Sequence, residues 1–448
     1  MVAKQNTYFK RLIRGERAML MLPFNVVLVG RVRGVVETSR VVETLAKLRS
    51  RHPMLGVRVQ IEEDGSASFS SKGVPALSVH TEVRQDDKQW LERVKTEFQT
   101  SFPLEMGPLV RCTVLHSAEG CDIILCGHHV VCDGMSLAYL LRDLLDRLST
   151  PKQETEQALI PPPIDHTTVP NPLAMNCLAR FVMRLINKRW AKKGIQFTEA
   201  DMYRLHERFW EENKDLQILA WNMPPDSTAD LVKRCRSEKV TVNAALWAAF
   251  LAAQYDLQGD AVAYRQHSAM AVNTRKKLTV PAGESFGFYA SSLSLTLPYS
   301  PLLSFWDNAR RIHTRILEEL STTNLFRMLS AEHLHPTLLD ALYYQKYGLL
   351  EETMPARLLR RMGWDRITYG YALTNVGRLD IPTTYGSLKL EVLYGPLFYS
   401  DVEEKMIGTI TLGGRLSFLF VSKASVVDDP ASLRDTAMEH LKQAMGRL

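Results

Sequence analysis

The stretch between residues 122 and 148 constrains the fold more than any other. An apolar run, Asp122-Ile123-Ile124-Leu125-Cys126, reads as a strand and leads directly into His128-His129. Val130-Val131-Cys132-Asp133-Gly134 follows, and a helix is predicted over 135–148. There Leu137, Leu140, Leu141, Leu144, Leu145 and Leu148 recur at helical spacing, so one face packs inward. A strand, a short polar loop and an inward-packed helix in succession are the pieces of an α/β lobe.

The rest of the chain extends this pattern. Helices are predicted over 36–51 and 88–98, and strands over 25–32, 54–61 and 109–115. With 448 residues the chain exceeds what one hydrophobic core serves, which predicts two lobes of about 150–230 residues each. Residues 151–172, with Pro161-Pro162-Pro163, Pro170 and Pro172, read as an extended linker, and a basic helix is predicted over 173–193. The division is therefore 1–160 for an N-terminal lobe, 161–215 for the linker and basic helix, and 216–448 for a C-terminal lobe. In the last, a helix over 243–254 takes Thr241 as its cap. Strands are expected over 261–271 and 291–297, and helices over 304–320 and within 330–362. A hairpin over 409–421 turns at Gly413-Gly414, and a helix over 431–448 closes the chain.

Composition narrows the class without naming it. Hydrophobic residues make up 46% and charged residues 23%, as in an ordinary globular protein. A net charge of +6 is too diffuse to argue for nucleic acid, but suits an anionic partner such as a phosphate-bearing cofactor, an acidic carrier protein or a membrane surface. Six cysteines make no C-x-x-C pair. Buried free thiols are the expectation rather than metal ligands or disulfides, and a cytoplasmic setting fits. Lys10, Arg11, Arg14 and Arg17 precede an apolar run over 18–30, yet Pro23 and Asn25 interrupt it, so a strand is expected there rather than a signal peptide.

The two histidines sit on a loop between packed elements. Such a loop can hold an imidazole in a cleft at fixed geometry, where it takes a proton from an attacking hydroxyl or amine. The residue types alone leave a second reading open: paired histidines can be satisfied core residues, and Asp133 can simply cap the helix that follows.

H-H-x-x-x-D-G, complete here at His128, His129, Asp133 and Gly134, resembles the hallmark of the chloramphenicol acetyltransferase-like superfamily. That superfamily includes the condensation domains of peptide synthetases, plant BAHD acyltransferases, and free-standing polyketide-associated and alcohol acyltransferases. LAKLRSRHPMLGVR at 45–58 resembles its "LxxRHPxLR" segment, and FPLEMGPLVR at 102–111 its "GPLxR" stretch. VTVNAALWAAFLAA at 240–253, residues 271–288 and YALTNVGRL at 371–379 are similar to its later segments. The D-F-G-W-G motif of the plant enzymes is missing, and RGERAMLML at 14–22 lacks the condensation domains' opening motif.

The resemblance implies an α/β (α+β two-layer) fold, with two chloramphenicol acetyltransferase-like lobes around a central tunnel. It implies His129 as general base, with His128, Asp133, Gly134, Arg275 and Asn375 in support, Asp133 paired with Arg275, and Gly134 allowing a tight turn. It implies no metal, no permanently bound cofactor and no covalent acyl-enzyme. The co-substrate would be an acyl-CoA or acyl-phosphopantetheine thioester, and an alcohol, small molecule or lipid, would accept the acyl group to give an ester. With no adenylation or carrier domain attached, a free-standing enzyme is expected. A condensation enzyme joining a carrier-bound amine, and a non-catalytic relative that only binds acyl carriers, stand as the alternatives.

Basic clusters are the candidates for contacts beyond the tunnel. Arg357, Arg360 and Arg361, with Arg366, could take coenzyme A phosphates, as could Lys276 and Lys277 beside Arg275. Arg180, Arg184, Lys188 and Lys192 follow one another along the basic helix, with Phe181, Val182, Leu185 and Ile186 on its other side. That helix either docks on a membrane surface or an acidic carrier protein, or is a solvated face over the core.

Overall fold

The computed structural model describes residues 9–150, 157–170, 175–259, 267–365 and 369–446. The described residues open with a short strand β1 (Lys10–Leu12) and a long one, β2 (Asn25–Arg33), then helix α1 (Thr38–Arg51). Strands β3 (Arg58–Ile61), β4 (Ala67–Ser70) and β5 (Ser78–Val83) precede helix α2 (Gln89–Gln99). The pair β6 (Val110–His116) and β7 (Gly120–His128) leads into α3 (Gly134–Ser149). After α4 (Cys177–Ala191) and α5 (Glu199–Glu212) come β8 (Leu216–Met223), α6 (Pro225–Ser237), α7 (Val242–Gln258), β9 (His267–Asn273) and β10 (Ala290–Thr296). Four helices follow: α8 (Phe305–Glu319), α9 (Thr322–Leu325), α10 (Pro336–Lys346) and α11 (Thr353–Met362). The chain ends with β11 (Tyr369–Arg378), β12 (Thr384–Tyr385), β13 (Leu388–Leu397), β14 (Glu403–Leu412), β15 (Arg415–Lys423) and α12 (Pro430–Ala444).

Two six-stranded sheets carry the two lobes, in the orders β12-β13-β2-β7-β6-β5 and β10-β9-β11-β14-β15-β8. β7 is buried along its whole length, and in the first lobe α3 closes over the sheet with its leucines inward. In the second, α7 is buried almost all round, which its Ala-rich, uniformly apolar sequence requires. Thr241 caps it by accepting from the Ala244 N–H at 3.2 Å.

The contiguous division at residue 216 needs correction. β8 does begin the second sheet, but β12 and β13, far along in sequence, belong to the first. β13 lies antiparallel to β2, with Leu393 opposite Gly30 and Leu397 opposite Val27. Without it β2 would present an open edge at the heart of the molecule, and an edge needs covering. The linker also ties the lobes. Leu159 N–H donates to Arg51 O, and the Tyr289 hydroxyl donates to Pro162 O, at 2.8 Å each.

Two further expectations change. Residues 54–61 are not one strand, because Pro53 opens a 3-10 turn over Pro53–Gly56 and the strand is only β3. The helices α5 and α6 had no counterpart in the sequence reading. Of the strand expected over 261–271, residues 261–266 lie outside the described residues, as do Pro172 and residue 173 where the basic helix was expected to start. Among the described residues no helix is long and apolar enough to cross a membrane.

Candidate active site

The loop between β7 and α3 is fixed from both ends. His129 N–H donates to Phe24 O at 2.8 Å, and Val131 N–H to His128 O at 3.0 Å. The two imidazoles then part company. His129 Nδ1 lies 2.8 Å from Cys132 O. A carbonyl only accepts, so Nδ1 carries the proton and Nε2 keeps its lone pair. The ring is packed by Phe288 at 5.0 Å and Phe398 at 4.9 Å between centroids. Burial depresses its pKa below the usual imidazole value, partly offset by the Cys132 bond and Asp133, so it is a neutral base. His128 Nδ1 instead accepts the Val130 N–H at 3.2 Å, and burial, with His129 beside it, takes its pKa down to about 3.

Asp133 fills both roles weighed from the sequence. Its Oδ1 accepts the Ser136 N–H at 2.8 Å, capping α3, and also the Arg275 guanidinium at 2.8 Å. Its Oδ2 accepts the Tyr289 N–H at 3.0 Å. Arg275 is satisfied further by Ser136 Oγ at 2.7 Å and Ser285 O at 2.6 Å, and lies 4.7 Å from the Tyr289 ring centroid. A buried ion pair is tolerable only when so supplied with partners. Asp133, Ser136 and Arg275 thus clasp the β7–α3 end of the first lobe to the second.

Gly134 is needed for close approach rather than for a turn. Its backbone is not in the left-handed region, but an added Cβ would sit 1.9 Å from Pro396 Cγ on β13. The strand that crosses between lobes is therefore pressed directly against the start of α3.

His129 lines a cavity of about 370 Å³ between the lobes. Most of its wall is apolar: Met19, Leu22, Phe24, Phe288, Trp364, Ala372 and Phe398 among others. One region is polar, with Ser291, Ser292, Ser400, Asp401, Glu403 and Lys346. Lys346 and Asp401 pair at 2.9 Å, while Glu403 Oε2 is buried with no hydrogen-bond partner, and burial raises the Glu403 pKa to about 7. His128 lines a separate, small cavity of about 40 Å³ with Asn25, Phe102, Met202 and His206. A third, of about 660 Å³, lies on the far side of β11. Successive residues of a strand face opposite ways. Ala372 and Thr374 accordingly line the His129 cavity, and Asn375 and Gly377 the far one, where Lys233, Arg236 and Arg378 stand around Val232, Val242 and Leu416.

Comparison with known proteins agrees with this architecture. Residues 22–162 match the Condensation domain family. Malpinin synthetase of Mortierella alpina is 28% identical over 150 residues, 32% of this chain but 2% of that protein. Surfactin synthase subunit 1 of Bacillus subtilis (strain 168) is 19% identical over 218 residues, 48% of this chain and 5% of that one. The chain thus spans only a small fraction of the curated relatives it matches. Among solved structures, trichothecene 15-O-acetyltransferase from Fusarium sporotrichioides superposes with a TM-score of 0.65 at 12% identity, covering 98% of this chain and 94% of that one. Polyketide synthase associated protein 5 from Mycobacterium tuberculosis gives 0.60 at 16% identity, covering 98% and 99%.

The fold is that of the condensation-domain superfamily.

Within this condensation-domain fold, His128, His129, Asp133, Gly134 and Arg275 come together at the lobe junction. Asn375 does not join them. It accepts the Gly377 N–H at 2.8 Å, shaping the turn beside the far cavity. Arg357, Arg360 and Arg361 lie elsewhere, on α11, and Arg366 lies outside the described residues. Ser136, Phe288, Phe398 and Glu403 escaped the sequence reading. Ser136 alone had a usable signal there, as the residue three after a capping aspartate. Cys112, Cys121, Cys126, Cys132 and Cys235 are free and buried, and Cys177 is free and exposed. Burial raises the Cys121 and Cys235 thiols to about 12, which removes them as nucleophiles.

Proposed function

We propose that the protein is an acyltransferase that moves an acyl group from a thioester to a hydroxyl, with His129 as general base. One observation carries this reading: a buried, neutral imidazole has its Nδ1 proton committed to a carbonyl, which leaves the Nε2 lone pair at the wall of an apolar cavity. Nε2 takes the proton of the acceptor hydroxyl as its oxygen attacks the thioester carbonyl. The tetrahedral intermediate then collapses, the C–S bond breaks, and the departing sulfur takes the proton back from Nε2. Positioned proton transfer of this kind contributes about 10²–10⁴-fold in rate. Holding both substrates in line adds a large proximity effect.

The apolar cavity suits the organic part of the acceptor and the acyl chain. The far cavity suits the donor's tail. Lys233, Arg236 and Arg378 form no ion pair among the described residues, and they surround a wide opening, as the phosphates of coenzyme A or of a carrier's phosphopantetheine need. They are stronger candidates for that role than Arg357, Arg360 and Arg361. Asn375 would shape the passage between the two sides.

Amide formation from a carrier-bound amine uses the same base and electrophile, and the synthetases among the relatives favour it. A hydroxyl nevertheless needs the base more, because a neutral amine is already a good nucleophile and loses its proton late. A module that only binds acyl carriers has no use for the Nε2 lone pair held here. Offering matched long-chain alcohols and amines in competition for one acyl-thioester tests the choice. Faster ester formation by kcat/KM is expected; faster amide formation would promote the condensation reading.

A further inference from the structure

The helix α4 has two apolar faces, and only one is used. Met183, Ile186, Asn187 and Trp190, at i, i+3, i+4 and i+7, face inward. There Trp190 donates to Thr337 Oγ1 and Asn187 to His333 O, at 2.8 Å each. Leu178, Phe181, Val182 and Leu185 repeat the same spacing on the opposite side, at 73%, 59%, 43% and 42% exposure. Four large apolar side chains in one outward stripe are unusual for a helix that ends in solvent.

The stripe is framed by cations. Residues 177–193 hold Arg180, Arg184, Lys188, Arg189, Lys192 and Lys193 and no acid. α11 packs into the same small core through Leu359 and adds Arg357, Arg360 and Arg361, again with no acid. These nine basic side chains exceed the whole chain's net charge of +6, so the rest of the molecule is net acidic. Lys193 pairs with Glu352, but Arg184, Lys188, Arg189, Arg357 and Arg361 form no ion pair among the described residues. Two residues beyond α11, Trp364 lines the His129 cavity, as does Met328. The small core beneath this surface therefore reaches the apolar cavity through Trp364.

We propose that the α4–α11 surface docks on a membrane containing anionic lipid, with Leu178, Phe181, Val182 and Leu185 inserted among the acyl chains and the flanking cations on the headgroups. An outward apolar stripe beside unneutralised cations is what an interfacial helix needs, since apolar burial and headgroup attraction then act together. An acidic carrier protein would satisfy the charge but has no call for a stripe of this breadth. Docking would bring a lipid-soluble acceptor to the cavity. That consequence rests on the acyl-transfer reading, whereas the binding itself does not.

The test is co-sedimentation of the full chain with vesicles of phosphatidylcholine, or of phosphatidylcholine mixed with phosphatidylglycerol, at low and high salt. Binding to the mixed vesicles, weakened by salt, is expected. Each cation near an anionic surface changes binding about fivefold, so Arg184→Gln with Lys188→Gln is expected to lose about 25-fold. Phe181→Ser with Leu185→Ser, also at exposed positions, is expected to lose binding while keeping the salt dependence of what remains. No binding to mixed vesicles, or binding unaffected by Phe181→Ser with Leu185→Ser, would overturn the proposal. So would a dimer in sedimentation velocity that this double variant dissociates, or salt-sensitive capture of acyl carrier protein without any vesicle binding.

Discussion

Glu403 behaves unlike an ordinary glutamate. A carboxyl with an unsatisfied oxygen in a largely apolar cavity wall resists ionising, and its pKa rises from the ordinary 4.5 to about 7. Between those values the unfolded chain gives up a proton that the folded chain keeps, so ionisation costs stability as pH rises. Glu403→Gln, which cannot ionise, is therefore expected to gain in stability relative to the parent as pH goes from about 4.5 to about 7, and to level off above. Thermal denaturation of both proteins across that range checks this. A constant difference would mean that Glu403 ionises as in water. Nothing in the sequence marked this residue. Glu403-Glu404 reads there as an ordinary charged pair, and only the folding of β14 along the cavity turns one of them toward the wall. His129 was legible because its motif is local: strand, loop and helix fix the imidazole within a few residues. Phe288 and Phe398, which pack it, come from the second lobe and carry no local sign.

At the scale of elements, the start of α3 is where the two lobes are fastened. Asp133 caps the helix, receives Arg275 and accepts the Tyr289 N–H, so one carboxylate organises three segments. Asp133→Asn keeps a capping oxygen but removes the charge facing Arg275. Breaking one side of a buried pair costs about 3–5 kcal/mol. Chemical denaturation should show a loss of that order, with stability hurt at least as much as the chemistry. A loss under about 1 kcal/mol, the worth of an exposed pair, would mean the pair is far better solvated than its burial implies. Helices with clear side-chain caps, such as α3, α7 and α8, were legible to within a few residues. β13 was not. Its partner β2 lies some 360 residues earlier in the chain, and no local pattern announces which sheet a strand will join.

For the whole molecule, the arrangement of the sheets decides what the site can do. β11 stands between two cavities, and His129 lines only one of them. The crossing of β13 holds the lobes at fixed spacing, with Pro396 against Gly134. Charge is divided as well, with the helical surface of α4 and α11 basic and the remainder net acidic. The central claim is acyl transfer with His129 as base. It is tested most directly by mass spectrometry of products, from the purified protein offered a panel of acyl-thioesters and alcohols, beside His129→Ala shown by circular dichroism to be folded. The account predicts an ester formed by the parent protein and a fall in kcat of about 10²-fold or more in the variant. A variant that keeps more than about a tenth of the parent kcat would contradict it, because so small a loss is below what a general base supplies.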